Sequence, residues 1–127
     1  GPWDRYNFAW SVLERLERGQ TVGTCRRTAV SPTYVPDLCH AALDLLIDGE
    51  TGIWHLANGG ALSWHEFARR VAAGAGHDPR RILAEDAPKA GNTVLSSRRG
   101  AMLPSFDRGL DEWLRQTRGE TAALAAE

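Results

Sequence analysis

Cysteine is scarce in this chain: Cys25 and Cys39 are the only two, and they do not stand at CxxC spacing. A disulfide framework or a thiolate metal site is therefore not expected, and both are read as reduced thiols. The histidines, His40, His55, His65 and His77, include no HExxH and no other pair at ligand spacing, so no metal is expected either. The GxSxG elbow of hydrolases is missing. So is the GxGxxG fingerprint of a dinucleotide site, since Gly59-Gly60 stands alone. A Tyr-x-x-x-Lys pair is missing too, because Tyr6 and Tyr34 are followed at that spacing by Trp10 and Leu38. On its own residues the chain is not a complete catalyst.

Charge of one sign is also lacking. A formal net charge of -1 gives no electrostatic footprint for nucleic acid or an anionic membrane, and neither is expected as a partner. No uncharged run approaches the ~18 residues of a membrane span, and no basic start leads into an apolar signal region. The expectation is a soluble, cytoplasmic domain. The chain has no internal repeat, and Gly1-Pro2-Trp3 begins abruptly, which is read as a cut edge or a tag scar of a protein that extends upstream.

What remains is ordinary globular material, 43% hydrophobic and 24% charged over 127 residues, enough for one core. Phe8, Val12, Leu13 and Leu16 recur at helical spacing between Asn7 and Arg18, with Gly19 as a stop and Asn7 placed either to cap or to face a ligand. Val22 and Ala29-Val30 read as short strands or extended loop around Cys25-Arg26-Arg27, an arginine pair that is either a solvated turn or an anion site. The stretch Ser31-Pro-Thr-Tyr-Val-Pro-Asp-Leu38 joins extended backbone to a helix opened by Pro36. That helix carries the most regular stripe in the chain, Leu38, Ala41, Ala42, Leu45 and Leu46, and ends at Gly49.

Thr51-Gly-Ile-Trp-His-Leu-Ala57 reads as a buried strand, which with its flanking helices makes an α-β-α unit and needs a neighbouring strand. Ser63 and Glu66 form a capping box, with Leu62 and Phe67 as a hydrophobic staple, opening a helix that fades at Gly74 or Gly76. Beyond His77, Pro79, Pro88 and Gly91 break the chain into short extended pieces at Ile82-Leu83 and Val94-Leu95-Ser96. Phe106, Leu110, Trp113, Leu114 and Thr117 mark a last helix, and 119–127 is a helical or frayed tail. His55 reads as a hydrogen-bonded structural residue, with a general base as the alternative. Trp3 or Trp10, near Asn7, could line a flat ligand such as a sugar or base.

With these blocks in view, the chain resembles the C-terminal, substrate-binding part of dTDP-4-dehydrorhamnose reductases, extended short-chain dehydrogenases acting on nucleotide sugars. The resemblance rests on Gly1-Pro2 with Asn7-Phe8, on Ser31–Leu38, Gly52–Asn58 and Leu62–Ala68, and on Asn92–Ser97 with Leu103-Pro104. It implies an α/β fold of about four helices and a few short strands, a C-terminal fragment with the Rossmann core missing. Residues 1–118 would be the sugar-nucleotide domain.

The resemblance also implies NADPH-dependent reduction of a 4-keto group on a dTDP-linked deoxyhexulose, giving dTDP-L-rhamnose. Cofactor motif and catalytic Tyr and Lys would lie in a missing N-terminal Rossmann domain, leaving this chain without cofactor or activity of its own. Carried over by position, the substrate-binding residues are Asn7, Phe8 and Asn92, with Arg98 or Arg99 replacing a lost phosphate contact. Arg27-Thr28 and Ala90-Gly91 depart from the Asp-Gln and Arg-Pro pairs usual in the family. Those departures support an alternative, a non-catalytic interaction or oligomerisation module of the same ancestry. An apolar strand at 51–57 without its sheet invites a homo-oligomer.

Overall fold

The computed structural model describes the backbone of residues 4–86, 91–100 and 103–125, and side chains within those segments as far as 119. The sequence features at Gly1-Pro2, Trp3, Pro88 and Ala90 lie outside the described residues. The fold is mixed α/β. Helix α1 (Phe8–Glu17) leads to strand β1 (Val22–Cys25), a turn, strand β2 (Thr28–Val30) and helix α2 (Val35–Ile47). After a long irregular stretch come β3 (Leu62–Ser63), α3 (Trp64–Gly74), a 3-10 turn (Pro79–Arg81), β4 (Ile82–Glu85), β5 (Gly91–Asn92) and α4 (Phe106–Ala125). Helix α4 thus takes in residues 119–125.

Local chemistry sets the helix ends. Asn7 accepts the Trp10 amide at 2.8 Å to cap α1. The Ser63–Glu66 box is formed in both directions, Glu66 N–H to Ser63 Oγ at 3.1 Å and Ser63 N–H to the Glu66 carboxylate at 2.9 Å. These bonds hold the Glu66 carboxyl below the usual carboxylate range. At the other ends, α1, α2 and α3 all close in the paired 6→1 and 5→2 pattern, such as Gln20 N–H to Arg15 O with Gly19 N–H to Leu16 O. That geometry requires a left-handed residue, and Gly19, Gly49 and Gly76 supply it at φ of 77°, 69° and 82°.

Two small sheets flank α3. In one, β1 pairs parallel with β4, Val22 opposite Ile82. In the other, β2 is central, antiparallel to β3 and parallel to β5, with Ala29 opposite both Ser63 and Asn92. Helix α3 packs on α1, α4 and both sheets, and its Ala68, Val71 and Ala72 are wholly buried. Val12, Leu13 and Leu16 of α1 and Phe106, Leu110, Trp113 and Leu114 of α4 complete the core. Gly74 lets α4 approach, since a Cβ there would lie 2.5 Å from Leu114 Cδ1.

One expectation from the apolar pattern is corrected. Residues 51–57 join no sheet: no described strand lies beside them, and an apolar run without a partner ladder stays outside any strand pairing. Ile53 is 83% exposed, and the α-β-α unit is a helix, an unpaired stretch and a helix. Helix α2 forms where its stripe placed it, but of the five stripe residues only Ala41 is buried, while Leu46 is 74% exposed. Val94-Leu95-Ser96, read as an extended piece, lies just after β5 and outside any strand. Cys25 is half-buried, Cys39 is exposed, and neither is in a disulfide.

A buried polar link ties α3 to β1. His65 Nδ1 lies 3.0 Å from the Thr24 hydroxyl, and its Nε2 finds no hydrogen-bond partner among the described residues. Burial, followed by the charges of Arg26 and Arg69, pushes the imidazole below the ordinary histidine value, outweighing the Leu83 carbonyl and Glu66. The folded protein then binds fewer protons here than the unfolded chain once the pH falls below about 6.5. Stability contributed by neutral His65 should therefore be complete above that pH and fall on acidification. The slope should reach at most about 1.4 kcal/mol per pH unit. Urea unfolding between pH 7.5 and 5 measures it, and His65→Gln should flatten the profile.

Candidate substrate-binding site

A cavity of about 420 Å³ opens where α1, the 30–35 segment, α3 and α4 converge. Phe8 stands at the first turn of α1 because Asn7 caps the helix, and the capping box places Trp64 and Phe67 in the first turn of α3. The rings form a continuous wall: Phe8 lies 4.5 Å from Trp64 and 5.2 Å from Phe67 between centroids, and Phe67 meets Phe106 edge-on at 5.1 Å. Trp113 adds a further apolar side. Opposite, Ser31, Pro32, Thr33 and Tyr34 supply a backbone-rich rim, with Asp4, Asn7 and Thr93 at the mouth. Among the described residues no arginine, lysine or histidine lines the space. It suits a flat, uncharged ring with polar edges rather than a phosphate.

Tyr34 connects this rim to the helices. Its phenol is raised above the ordinary value, by burial first and then by Glu112 and Asp37, against the hydrogen bond to Gln116 and the charge of Arg115. It therefore stays protonated, the reverse of what a tyrosinate acid–base residue needs. Its backbone N–H donates to Asn58 Oδ1 at 2.7 Å, and Asn58 Nδ2 donates to the Asp37 carboxylate at 2.8 Å and the Pro104 carbonyl at 3.0 Å. Asn58, 3% exposed, thus locks the start of α2 to the chain entering α4. Gly109 makes room there, since a Cβ would fall 2.8 Å from Tyr34 Cβ.

Of the residues singled out from sequence, Asn7 and Phe8 line the cavity. Asn92 is exposed on β5 and accepts the Val94 amide, while its neighbour Thr93 reaches the cavity mouth. Arg98 and Arg99 are elsewhere. The Arg99 guanidinium sits 4.8 Å over the Trp54 ring and donates to the Thr51 carbonyl at 2.8 Å, so it braces the 51–54 stretch. Arg98 is exposed, beside a second hollow of about 290 Å³ between 55–61 and 94–100, where His55 Nδ1 lies 3.1 Å from the Ser96 carbonyl. Arg26 and Arg27 form an exposed turn between β1 and β2. Trp10 is half-buried under Arg5 and does not line the cavity.

Sequence reasoning missed Trp64, Phe67, Phe106 and Trp113 as cavity residues. Each stands at a helical core position, and only the convergence of α3 and α4 on α1 separates a ring facing a cavity from one filling the core.

A nicotinamide dinucleotide does not fit the described residues. Its pyrophosphate needs a glycine turn leading from a strand to open helix N–H groups. Here the N–H groups after Gly59-Gly60 belong to α3, where Ser63 and the Glu66 carboxylate already occupy the end. Among the described residues no group of three or more His, Cys, Asp or Glu could hold a metal ion, and no helix is long and apolar enough to cross a membrane.

Comparisons with known proteins follow the same outline. A family model described as the RmlD substrate binding domain matches residues 3–105. The dTDP-4-dehydrorhamnose reductase of Mycolicibacterium smegmatis is 40% identical over 100 residues, covering 72% of this chain and 31% of the relative. The spore coat polysaccharide biosynthesis protein SpsK of Bacillus subtilis is 33% identical over 86 residues, 68% of this chain and 30% of that protein. This chain therefore spans about a third of the length of the curated relatives it matches. Among solved structures, a dTDP-4-dehydrorhamnose reductase from Clostridium acetobutylicum aligns with a TM-score of 0.78 at 18% identity, covering 91% of this chain and 45% of that one. The Bacillus anthracis reductase in complex with NADP gives 0.76 at 22%, covering 87% and 43%. These two establish the fold, and the family match over most of the chain establishes the rest: the chain belongs to the RmlD substrate binding domain family.

Proposed function

We propose that this chain is the nucleotide-sugar-binding part of an NADPH-dependent dTDP-4-dehydrorhamnose reductase and is inactive alone. The observation that carries the reading is the aromatic-walled cavity between Asn7-Phe8 and Ser31–Tyr34, two of the blocks that mark the family. A thymine or deoxyhexulose ring is flat or compact, uncharged and polar at its edges, which is what that lining accommodates. The diphosphate would stay outside the cavity, because its described lining holds no cation. Dinucleotide and the proton-donating pair would be supplied by an N-terminal domain, in keeping with the capped, carboxylate-filled α3 terminus. The relatives' names support dTDP-sugar chemistry, and one solved neighbour carries NADP.

Titration calorimetry with a dTDP-deoxyhexose tests the reading. Trp64→Ala should weaken binding by about tenfold, the equivalent of about 1.4 kcal/mol of ring contact. Unchanged affinity would remove the cavity from the site. NADPH should give no heat with this chain and should not be oxidised by it; measurable oxidation would overturn the division of labour.

A further inference from the structure

His65 and the arginines around it form a polar group that the aromatic cavity does not use. His65 is 5% exposed; its Nδ1 meets the Thr24 hydroxyl, while its Nε2 has no hydrogen-bond partner among the described residues. Protein interiors seldom leave a buried polar atom unpaired. The Thr24 hydroxyl also lies 3.4 Å from the Leu83 carbonyl, which takes its one proton whenever Nδ1 carries a proton of its own. In the imidazolium form the chain is then complete: Nδ1–H donates to Thr24 Oγ1, Thr24 O–H donates to the Leu83 carbonyl, and Nε2–H remains to be answered from outside.

Two cations stand beside that donor. Arg69 lies four residues after His65 on α3, one turn along the same face, where Cβ atoms are ~6 Å apart. Arg26 follows β1 two residues after Thr24, ~7 Å along extended chain. The charges of both act on the imidazole. Both side chains are on exposed residues, and neither enters an ion pair among the described residues, whereas Arg70 next to them is tied to Asp107. The carboxylates nearby are committed elsewhere: Glu66 accepts from the Ser63 amide and hydroxyl, and Glu85 lies against Gly23, on the face of β1 opposite to Thr24. From β4 the ring meets the Leu83 carbonyl. Two uncompensated guanidiniums beside a buried donor without an acceptor are half of an oxoanion site.

We propose that His65 Nε2, Arg26 and Arg69 form a binding site for a phosphate-type oxoanion where α3 meets β1. None of the three lines the aromatic cavity, so the site is a second one and stands without the nucleotide-sugar reading. The guanidiniums supply forked donors to two oxygens, and Nε2–H supplies a third bond. Nothing among the described residues anchors the two arginine heads, so they turn aside to let an oxygen reach Nε2. A bound anion favours the charged ring, so binding and protonation of His65 assist each other. The site therefore tightens as the pH falls, and the anion shifts the titration of His65 upward.

Sulfate is the probe, because its own charge stays constant from about pH 7.5 to 5, and sodium chloride at equal ionic strength controls for screening. The His65 ring signals are followed by NMR through a pH titration at increasing sulfate. The midpoint should rise by about one pH unit in a saturable manner that chloride does not reproduce, the protonated chain binding sulfate about tenfold more tightly. Arg26→Ala and Arg69→Ala should each weaken sulfate about tenfold. His65→Gln keeps a neutral donor, so it should retain sulfate binding at neutral pH and lose the pH dependence. Equal shifts in sulfate and chloride would overturn the proposal, as would unchanged sulfate affinity in both arginine variants. Should His65→Gln not fold, the comparison of sulfate with chloride on the unaltered chain decides alone. A dTDP-deoxyhexose then distinguishes the source of the anion. Competition with sulfate, weakened by Arg26→Ala, assigns the site to a nucleotide-sugar diphosphate; simultaneous binding assigns it to a separate phosphate. Trp64→Ala should leave sulfate binding unchanged, so this site and the cavity fail separately.

Discussion

Asn58→Ala is expected to lower the unfolding free energy by about 3–4 kcal/mol and the melting temperature by about 10 °C or more. The change strips three hydrogen bonds at once, leaving the Tyr34 N–H, the Pro104 carbonyl and one Asp37 oxygen to find new partners in a site where Asn58 is 3% exposed. Each buried group left unpaired costs about 1–3 kcal/mol, and the Asp37 bond, being charge-assisted, lies towards the upper end. An amide is the side chain that suits the spot, because it must accept from one N–H while donating to a carboxylate and a carbonyl. Asn58→Asp keeps the acceptor but sets a carboxylate against Asp37, so it should be no better than alanine at neutral pH. Chemical denaturation of the two variants checks this, and a loss under 1 kcal/mol in both would show that the junction is solvated.

The second large effect contrasts two leucines that the helical pattern alone treats alike. Leu16→Ala should cost about 2–5 kcal/mol, since Leu16 is 1% exposed among Val12, Val71 and their neighbours and its removal leaves a cavity. Leu46→Ala should change stability by no more than about 0.5 kcal/mol, since its side chain is 74% exposed. Equal losses would mean that the outer face of α2 is covered in solution.

That contrast marks how far periodicity carries. The cap at Asn7, the Ser63–Glu66 box, the stops at Gly19, Gly49 and Gly76, and the short strands at Val22, Ala29-Val30 and Ile82 were all legible, because each rests on chemistry within a few residues. A trace of the strand pattern survives at 53–56, where exposed and half-buried residues alternate. What the pattern could not say is whether a neighbour is present to pair with it. Leu62–Ser63 as a strand was invisible, its two residues too few to set a period and its partners Val30 and Ala29 lying 32 and 34 positions away in the chain.

The site divides in the same way. Asn7 and Phe8 were found through a family motif and do line the cavity, whereas Arg98 and Arg99 were chosen by charge and proximity, and Arg99 is engaged with Trp54 and Thr51. A guanidinium over an indole and one over a phosphate look identical in sequence.

By itself, then, the sequence determined the helices, their ends and the family, since capping, glycine stops and motif order are local and survive without a partner. Only the tertiary structure decided which aromatic rings face a cavity, that Asn58 is a joint rather than a loop residue, and that one apolar helix face is left uncovered. Burial, pairing and exposure are relations between segments distant in the chain, and no local pattern encodes them.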